Sequence, residues 1–327
     1  LKGQFWKWRM HGGAITLTKD FDKISWIPDV ILVTDMLDLT TFISLNREKI
    51  GNTPVAIYFH ENQISYPWSP RDRDFNRGRD SHYGFINYAS ALVSNKVYFN
   101  SHFHMNSFFK DLEPFLKQFP DKNELDSIEV IKKKSEVLYL GLDLKKFDES
   151  RAEKIGKPKI LWNHRWEYDK NPELFFSILN RIKKEGYDFN LIVLGERFNR
   201  LPEVFKWAKG VFRDNIIKWG YMKSFGDYSR WLWKCDILPV TSNQEFFGVS
   251  VMEAIYCGVW PILPERLSYP ELIPESFSKD IIYSDENELY KKIVWSIDNV
   301  KEIRKARVRD IAEKFAWENM ALSYDET

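Results

Sequence analysis

Two glutamates flank a glycine in the segment EFFGVSVMEAIYCGVWPILPE. Glu245 and Glu253 lie eight positions apart, and Gly248 lies between them. Carboxylates accept hydrogen bonds from vicinal hydroxyl groups, so two such acids suit the two sugars of a nucleotide-sugar. A capped surface helix with two unrelated glutamates is the alternative, and the spacing taken alone favours it.

The elements around these glutamates favour a binding site instead. A buried strand is predicted over Asp236–Val240 and a short helix over Val249–Cys257, so Gly248 lies in the turn that joins them. Glycine lets a backbone approach a ligand closely, and the first amides of a helix attract phosphate. The amides of Gly248, Val249 and Ser250 are therefore predicted to hold a diphosphate between the two acids.

A pair of cations forms the second group of candidate residues, in WNHRWEYDKNPELFF. Arg165 and Lys170 lie between a predicted strand, Lys159–Trp162, and a predicted helix, Pro172–Glu185. A guanidinium grips phosphate as a fork, and an ammonium acts on it as a point charge. Taken alone, the segment fits a solvated loop equally well. Beside the acidic pair, it predicts the positive charge that a departing diphosphate needs.

Polar residues also follow two predicted strands in the first half of the chain. His60 ends the apolar run VAIYFH, and Asp35 follows the strand before TDMLDL. Ligands of parallel α/β sheets bind beyond the carboxyl ends of the strands. His60 is a candidate for a hydrogen bond to a sugar, with a structural histidine as an equal alternative. The candidates for the acceptor side are Asp35, Asp38, Glu61 and Asn62.

Two charged segments carry weaker signals. SPRDRDFNRGRD contains Asp72-x-Asp74, a metal-type pattern, but its arginines would repel a cation and no metal site is predicted. The segment is interpreted as a solvated loop, with a contact to an acceptor phosphate as the alternative. FWKWRMHGG interleaves Trp6 and Trp8 with cations, which suits stacking on nucleic acid. An amphipathic strand explains that segment at least as well.

Composition limits the class of protein. The chain has 327 residues, 44% of them apolar and 29% charged, with a formal net charge of +1. That describes a globular protein large enough for two domains and without an overall field for nucleic acid. Cys235 and Cys257 lie in apolar runs with neither disulfide nor metal spacing, which fits the cytoplasm. No apolar run approaches the roughly 20 residues of a membrane span, so no membrane association is expected.

Short apolar runs alternate with helical patterns along the whole chain. Most of these runs are continuously apolar, which is typical of parallel strands buried on both faces, so the predicted class is α/β. A charged stretch after Gly141 predicts a boundary between domains 1–148 and 149–327. The predicted strands are Val30–Thr34, Val55–His60, Lys96–Asn100, Val137–Leu140, Lys159–Trp162, Asn190–Leu194, Ile216–Trp219, Asp236–Val240, Val259–Leu263 and Ile281–Tyr283.

Longer stretches resemble a known family. KWGYMKSFGDYSRWLWKCDILPVTSNQEFFGVSVMEAIYCGVWPIL is similar to the C-terminal domain of the retaining Glu-x7-Glu glycosyltransferases of the GT-B fold. VLYLGLDLKKF resembles the linker between their domains. WKWRMHGGAITL, TDMLDL, YFHENQISYP and WNHRWEYDKNPELFF together resemble the tRNA-queuosine mannosyltransferase subgroup.

The resemblance implies an architecture. It consists of two Rossmann-like domains that face a cleft, the first on the acceptor side and the second holding the nucleotide-sugar. The last helix is expected to cross back to the first domain. The glycine-rich opening loop of the family has no counterpart here, so the N-terminal domain is expected to lack its first βα unit.

The resemblance also implies roles for the acidic segment. Glu245 would bind hydroxyls of the donor sugar, and Glu253 would bind the ribose of the nucleotide. Gly248 and Val249 would offer backbone amides to the diphosphate and the sugar, with Phe247 beside them at the donor.

Other roles carry over in the same way. Arg165 and Lys170 would stabilise the leaving phosphates. His60 would lie over the sugar near the reacting carbon. Tyr221 and Met222 fall where the family holds the base.

The predicted function is transfer of a hexose, with retention, onto the queuosine nucleoside of tRNA. Mannose from GDP-mannose is the expected donor, and neither a metal nor a cofactor is expected to be required. A lipid or polysaccharide acceptor is one alternative. A non-catalytic protein that binds RNA or a nucleotide-sugar is the other.

Overall fold

The chain divides into two compact units. The computed structural model describes residues 5–67, 82–196 and 202–326, and the segment 69–80 with Asp72 and Asp74 lies outside them. The first unit is Leu1–Tyr139 and the second is Leu140–Thr327. The expected boundary at 148/149 lies inside a 3-10 helix of the second unit, Lys145–Ser150.

Backbone pairing explains why the second unit begins before the expected boundary. The Leu142 amide donates to the Phe315 carbonyl at 2.7 Å, and the Trp317 amide donates to the Leu142 carbonyl at 2.9 Å. Leu142 also forms a parallel bridge with Ala316. These bonds attach the segment after Tyr139 to the last part of the chain. That the last helix crosses back to the first unit stays a prediction.

Each of the ten predicted strands overlaps an observed strand, which confirms the α/β pattern. The continuous apolar runs, such as VAIYF, are buried along their whole length. The strands are β1 Ile31–Thr34, β2 Val55–Phe59, β3 Lys96–Phe99, β4 Ser135–Val137, β5 Lys159–Trp162, β6 Asn190–Val193, β7 Ile216–Trp219, β8 Ile237–Pro239, β9 Trp260–Pro264 and β10 Ile282–Tyr283.

Helices connect these strands. The helices are α1 Trp6–Phe21, α2 Leu39–Leu45, α3 Arg47–Ile50, α4 His82–Val93, α5 His102–Leu116, α6 Ser127–Lys132, α7 Pro172–Lys184, α8 Glu203–Val211, α9 Phe225–Lys234, α10 Val249–Tyr256, α11 Tyr269–Leu272, α12 Glu275–Ile281, α13 Glu286–Asp298, α14 Val300–Ile303, α15 Arg309–Glu313 and α16 Trp317–Asp325. None of these helices is both long and apolar enough to span a bilayer.

The first unit contains a parallel sheet of four strands in the order β1-β2-β3-β4. Its strands run in register from Ile31 beside Val55 to Phe59 beside Phe99. Phe59, Phe99 and Phe108 form the centre of the core, where Phe59 and Phe99 stack with centroids 5.1 Å apart. The carboxyl ends of β1, β2 and β3 therefore lie along one edge of this sheet.

The second unit contains a parallel sheet of six strands in the order β10-β9-β8-β5-β6-β7. The chain runs outward from β5 through β6 to β7, then returns to β8 on the other side of β5. The order thus reverses between β5 and β8, and ligands of open α/β sheets bind in the crevice at such a switch point. The loops after β5 and β8 are the ones that carry the predicted cations and acids.

Helix α7 shows how the sequence fixes the end of one of these loops. Asn171 precedes the helix, and its side chain accepts a hydrogen bond from the Leu174 amide at 3.3 Å. Pro172 occupies the first turn, where its missing amide is not needed. The buried stripe of α7 is the predicted one: Phe175, Ile178, Leu179 and Ile182.

The N-terminal segment differs from expectation, because residues 6–21 form helix α1 and not an amphipathic strand. Met10, Gly13 and Ala14 are buried, and Leu17 packs against the same core. Their spacing of three and four residues gives one helical face. The alternation of Trp6 and Trp8 with cations suggested a period of two, but the buried residues follow the helical period.

Candidate functional site

The loops after β5 and β8 are fastened to each other at the switch point. The Asn243 amide donates to the Asp169 carbonyl at 2.7 Å. The Thr241 hydroxyl donates to the Lys170 carbonyl at 2.9 Å. The Asn163 side-chain amide donates to the Ser250 carbonyl of α10 at 2.6 Å. These bonds fix the position of the predicted cations relative to the predicted acids.

Lys170 lies inside this junction and contacts Glu245. Its side chain is 7% exposed, and its ammonium lies 3.4 Å from Glu245 Oε2 and 3.1 Å from Asp169 Oδ2. It also donates to the Gln244 carbonyl at 2.7 Å. An ammonium has three donors, and these three acceptors use them. The structure therefore shows that Lys170 holds Glu245. Its contact with the leaving phosphates stays a prediction.

Asp169 is a residue that sequence reasoning missed. It is buried beside Lys170, and a buried ammonium is tolerated only when anionic or polar groups compensate it. Its signal in the sequence was its place next to Lys170 in a loop that follows a buried strand. With Glu245, it gives the ammonium two carboxylate partners.

Glu245 stands at the start of the glycine turn. Its Oε1 accepts bonds from the amides of Phe246 at 3.2 Å and Phe247 at 3.4 Å, and its side chain is 22% exposed. One carboxylate oxygen is thus held by the turn and the other faces Lys170. The carboxylate is fixed in orientation and still reachable from solvent, as recognition of a hydroxyl group requires.

Gly248 makes the turn and begins α10. Its φ is +96°, a conformation that residues with a side chain rarely adopt, and an added Cβ would lie 3.2 Å from Tyr269 Cε1. Hydrogen bonds to the Gly248 carbonyl come from the amides of Val251 and Met252, both at 3.0 Å. The amides of Val249 and Ser250 precede these bonds at the N-terminus of the helix, where the helix dipole favours an anion.

Phe247 does not lie at a donor surface. Its side chain is 2% exposed and meets the Phe315 ring edge-on, with centroids 5.2 Å apart. Its carbonyl accepts a bond from the Ser268 hydroxyl at 3.2 Å. The side chain belongs to the hydrophobic core, so the expected contact with the donor is wrong for the side chain. Only the backbone of Phe247 lies beside the turn.

Glu253 lies on α10 and pairs with Tyr228 of α9. The Tyr228 hydroxyl donates to Glu253 Oε2 at 2.7 Å. Burial raises the pKa of Glu253, although the bond from Tyr228 opposes that effect. A carboxylate in poorly hydrated surroundings forms strong bonds with a hydroxyl donor, because water competes less for it.

A cavity of about 410 Å³ opens beside Tyr228. It lies beyond the carboxyl ends of β5, β6 and β7, and its volume is within the usual range for a small-molecule site. The structure brings three predicted residues together in its wall, namely Arg165, Tyr221 and Met222. The other lining residues, which were not predicted, are Asn163, Gly195, Glu196, Lys223, Ser224, Phe225 and Tyr228.

Arg165 is positioned in this wall by a neighbouring acid. Its guanidinium lies 3.5 Å from the Glu167 carboxylate, and about half of its side chain is exposed. Burial raises the pKa of Glu167, while the charge of Arg165 opposes that effect. The β5 and β6 loops meet closely here, because an added Cβ at Gly195 would lie 2.0 Å from the His164 carbonyl oxygen. Only glycine fits that contact.

In the first unit, Asp35 and His60 meet at the carboxyl edge of the sheet. Asp35 is buried and accepts a bond from the His60 amide at 2.9 Å. The same oxygen lies 3.5 Å from His60 Nδ1. The Asn100 side chain donates to the His60 carbonyl at 3.0 Å and contacts His104 Nδ1 at 2.8 Å. His60 is therefore held through its backbone, and its imidazole is about half exposed.

His104 completes this network without being titratable near neutral pH. Burial lowers the pKa of His104 well below the usual value, and the charge of His60 acts in the same direction. A neutral imidazole can hydrogen-bond to the Asn100 amide and hold its orientation. Asn100 and His104 were not predicted, although Asn100 directly follows β3 in the same way that His60 follows β2.

Two expected acceptor-side residues have local structural roles instead. Asp38 caps α2, where it accepts bonds from the Thr41 amide at 3.0 Å and from the Thr40 hydroxyl at 2.5 Å. Burial alone would raise the pKa of Asp38, but these bonds hold it below its usual value. Asn62 is fully buried and accepts a bond from the Ser65 amide at 2.8 Å. Burial therefore removes Asn62 from the surface that an acceptor could reach, whereas Asp38 is only partly buried.

Glu61 remains beside His60 at the end of β2. Its carboxylate accepts a bond from the Gln63 side chain at 3.1 Å.

Within residues 5–67, 82–196 and 202–326, no group of three or more histidine, cysteine, aspartate or glutamate side chains could hold a metal ion.

Known families match both parts of the chain. Residues 1–142 match the family described as tRNA-queuosine alpha-mannosyltransferase N-terminal. Residues 144–314 match the family described as glycosyl transferases group 1. The boundary between these matches lies close to the division between the two units.

Curated relatives extend the match over most of the chain. The tRNA-queuosine alpha-mannosyltransferase of Drosophila melanogaster is 32% identical over 302 residues, which are 90% of this chain and 77% of that protein. An uncharacterized glycosyltransferase of Methanocaldococcus jannaschii is 25% identical over 218 residues, which are 62% of this chain and 54% of that protein.

Solved structures share the fold at low identity. The sucrose-phosphate synthase of Thermosynechococcus elongatus aligns with a TM-score of 0.71 and 14% identity, over 99% of this chain and 78% of that one. The alpha,alpha-trehalose 6-phosphate synthase of Burkholderia multivorans aligns with a TM-score of 0.69 and 12% identity, over 100% of this chain and 75% of that one. The fold is thus that of the GT-B glycosyltransferases. The protein is a group 1 glycosyltransferase, and the chain belongs to the tRNA-queuosine alpha-mannosyltransferase family.

Proposed function

We propose that the protein transfers mannose from GDP-mannose, with retention of configuration, onto the queuosine nucleoside of tRNA. One observation carries this proposal: the identity to the Drosophila tRNA-queuosine alpha-mannosyltransferase extends over 90% of the chain. The match therefore includes the first unit as well as the second. A tRNA acceptor also leads us to propose the cytoplasm as the place of action.

The second unit supports binding of the donor. The base is assigned to the cavity wall at Tyr221 and Met222, and the ribose to Glu253 beside Tyr228. The diphosphate is assigned to the N-terminus of α10. This order follows the chain of contacts from the cavity to Glu253 on α10, and from there to the glycine turn at Gly248.

The transfer step requires charge stabilisation more than a nucleophile. The bond between the anomeric carbon and the phosphate oxygen breaks, and a bond from that carbon to the acceptor oxygen forms on the same face. The acceptor proton passes to the departing phosphate oxygen, so GDP and the mannoside are the products. Arg165 and the α10 amides would stabilise the negative charge on GDP, and one such donor contributes about 3–4 kcal/mol. Neither a metal nor a cofactor takes part in this proposal.

Glu245 of the second unit is assigned to the transferred sugar, and His60 of the first unit stays a proposed contact for a sugar hydroxyl. Glu245 is supported by its fixed carboxylate, which Lys170 and the turn amides hold in place. His60 is supported by the network of Asp35 and Asn100, which holds its backbone and leaves its imidazole exposed. Each would accept or donate a hydrogen bond to a sugar hydroxyl.

The test supplies radiolabelled GDP-mannose, UDP-glucose or UDP-galactose with tRNA that carries or lacks queuosine. We expect label only from GDP-mannose and only in queuosine-bearing tRNA. An α-specific mannosidase should release the label, because retention of the donor's α linkage gives an α-mannoside. Label in the lipid fraction, or in tRNA without queuosine, would contradict the proposed acceptor. A product that resists the α-mannosidase would contradict the proposed stereochemistry.

A further inference from the structure

Two segments of the first unit form a group of aromatic and basic side chains at its surface. One segment is the start of α1 and the other is the start of α4. We refer to the group as the aromatic–cation cluster, and its members are Trp6, Lys7, His11, His82 and Tyr83. The sequence interleaving at Trp6–His11 is thus joined in space by residues from about 75 positions further along the chain.

Trp8 lies in the same turn of α1, and its indole packs against the backbone of its own helix. An added Cβ at Gly12, one turn further on, would lie 3.0 Å from Trp8 Cε2 and 3.1 Å from Cζ2. The indole therefore rests over a position that has no side chain. Trp8 is nevertheless 70% exposed. One side of the ring is supported by the helix, and most of the remaining ring surface is open to solvent.

The neighbouring rings contact one another across the two helices. Trp6 and Tyr83 have centroids 5.1 Å apart, and His11 stacks on His82 with centroids 4.9 Å apart and planes at 13°. The Lys7 ammonium lies 5.6 Å from the Trp6 ring centroid and 5.7 Å from that of Tyr83. Cations at these distances are attracted to aromatic faces. The cluster thus combines flat apolar surface with positive charge.

The side chain of Trp8 does not contribute to the packing of α1 against the core. Its buried residues are Met10, Gly13 and Ala14, which face the core of the first unit. Trp8 lies on the opposite side of the helix. A largely exposed indole gains little burial energy in the folded chain, and exposed apolar surface grouped with polar residues commonly marks a binding site.

Charge decides what kind of ligand fits. The sequence from Leu1 to Lys19 has no acidic residue, and two basic residues, Lys7 and Arg9, lie in the first turn of α1. Positive charge with exposed rings suits a single-stranded nucleic acid, because phosphates meet the cations and any unpaired base can stack on a ring. The net charge of the whole chain is only +1, so this is a local property.

We propose that the start of α1 binds the acceptor RNA, with an unpaired base stacked on the exposed indole of Trp8 and flanking phosphates beside Lys7 and Arg9. The inference rests on the proposed function in taking RNA as the acceptor. It adds the surface of the first unit that recognises that RNA, apart from the residues assigned to the sugar.

The experiment compares RNA affinity among four proteins: wild type, Trp8→Ala, Trp8→Tyr and Trp26→Ala. The probes are queuosine-bearing tRNA and a fluorescent single strand of roughly 12 nucleotides. Trp26 is the matched control, since it is an exposed tryptophan of the same unit (62%) that lies outside α1. Thermal unfolding and GDP binding check that each variant is folded and keeps its donor site.

We expect Trp8→Ala to weaken both RNAs by roughly 5- to 150-fold, the effect of losing one base–aromatic stack. Trp8→Tyr should stay within about threefold of wild type, because a phenol ring still stacks. Trp26→Ala should have no effect beyond about twofold. Lys7→Gln should reduce the slope of log affinity against log salt by about 0.7 for the single strand.

The outcomes separate this inference from the proposed function. If Trp8→Ala binds both RNAs as tightly as Trp26→Ala does, the RNA surface is wrong, even where mannose transfer to tRNA is observed. If Trp8→Ala loses binding to anionic vesicles or to a protein but not to RNA, the surface belongs to another partner and the inference is also wrong. If RNA binding depends on Trp8 but no sugar reaches queuosine, the surface stands and the proposed function fails.

Discussion

The substitution Lys170→Met should both destabilise the second unit and abolish the transfer activity of the enzyme. The ammonium of Lys170 compensates Asp169, which is buried, and holds Glu245 at 3.4 Å. Methionine fills a similar volume but leaves the Asp169 carboxylate buried without its cation. The loss of one partner of a buried pair costs about 3–5 kcal/mol, much more than the net contribution of the intact pair.

The magnitude can be read from thermal unfolding. For a unit of the size of Leu140–Thr327, a loss of 3–5 kcal/mol lowers the melting temperature by roughly 6–20 °C. Lys206→Met is the matched control, because Lys206 pairs with Glu203 at 2.9 Å on an exposed surface. Such a pair contributes at most about 1 kcal/mol, so the control should shift the melting temperature by only a few degrees.

A second substitution tests the reason for the loss. Asp169→Asn combined with Lys170→Met removes the uncompensated charge and keeps the shape of the side chain. The double variant should regain stability, with a coupling energy of about 1–3 kcal/mol between the two positions. Transfer activity should stay low, because Glu245 still lacks the ammonium that holds it. A melting temperature for Lys170→Met within 2 °C of the Lys206→Met control would refute this reasoning.

Three further substitutions test other parts of the second unit. Tyr228→Phe removes the donor to Glu253 and should weaken GDP binding by roughly 5- to 10-fold in calorimetry, with the fold unchanged. Gly248→Ala should cost about 1–3 kcal/mol of unfolding free energy and most of the transfer rate, because of its φ of +96° and the nearby Tyr269 ring; a variant as active as wild type would contradict this. Hydrogen bonds from Arg309, first among several causes, lower the pKa of Asp148 from 3.8 to about 2. The depressed pKa stabilises the fold above pH 4, and this contribution is lost as pH falls through 3.8 towards 2. The unfolding free energy of Asp148→Asn should therefore be lower by about 1 kcal/mol near pH 6, after allowance for solvent screening. In urea titrations this difference should shrink as pH falls from about 4 and vanish below about pH 2.

The architecture could be predicted because its signals are local. The run VAIYF is apolar at every position, and a strand buried on both faces needs such a run. Helix α7 has a cap at Asn171, a proline at its first position and a stop at Gly186. The helix around Met10 and Ala14 was missed, because the alternation of Trp6 with Trp8 suggested a period of two.

The side chains near the strand ends were only partly predictable. The positions of Glu245 and Arg165 beside the switch point could be predicted, because both residues follow strands that meet there. The burial of Lys170 could not, because it depends on the Gln244 carbonyl, which lies 74 positions away in sequence. The burial of the Phe247 side chain could not be predicted for the same reason, because its partner Phe315 belongs to a distant part of the chain.

Local capping could have been recognised. Asp38 precedes a helix and is followed by threonines, which is the pattern of an N-cap. Asn62 bonds to the amide three residues further along, as asparagine often does in turns. Both were assigned to the acceptor because a position after a strand suggests a site, and such positions also begin the next turn or helix.

The central claim is that Glu245 binds the transferred sugar while the rest of the donor is held elsewhere in the second unit. The most direct measurement is steady-state transfer of mannose to queuosine-bearing tRNA by Glu245→Gln, alongside GDP binding by the same protein. The amide keeps the shape of the side chain, and Asp169 still compensates Lys170. We expect kcat to fall by about 100-fold or more, since a carboxylate bond that strengthens in the transition state is lost, with the Kd for GDP within about threefold of wild type. A folded Glu245→Gln protein that transfers mannose at the wild-type rate, or one that loses GDP binding to the same extent as transfer, would contradict the claim.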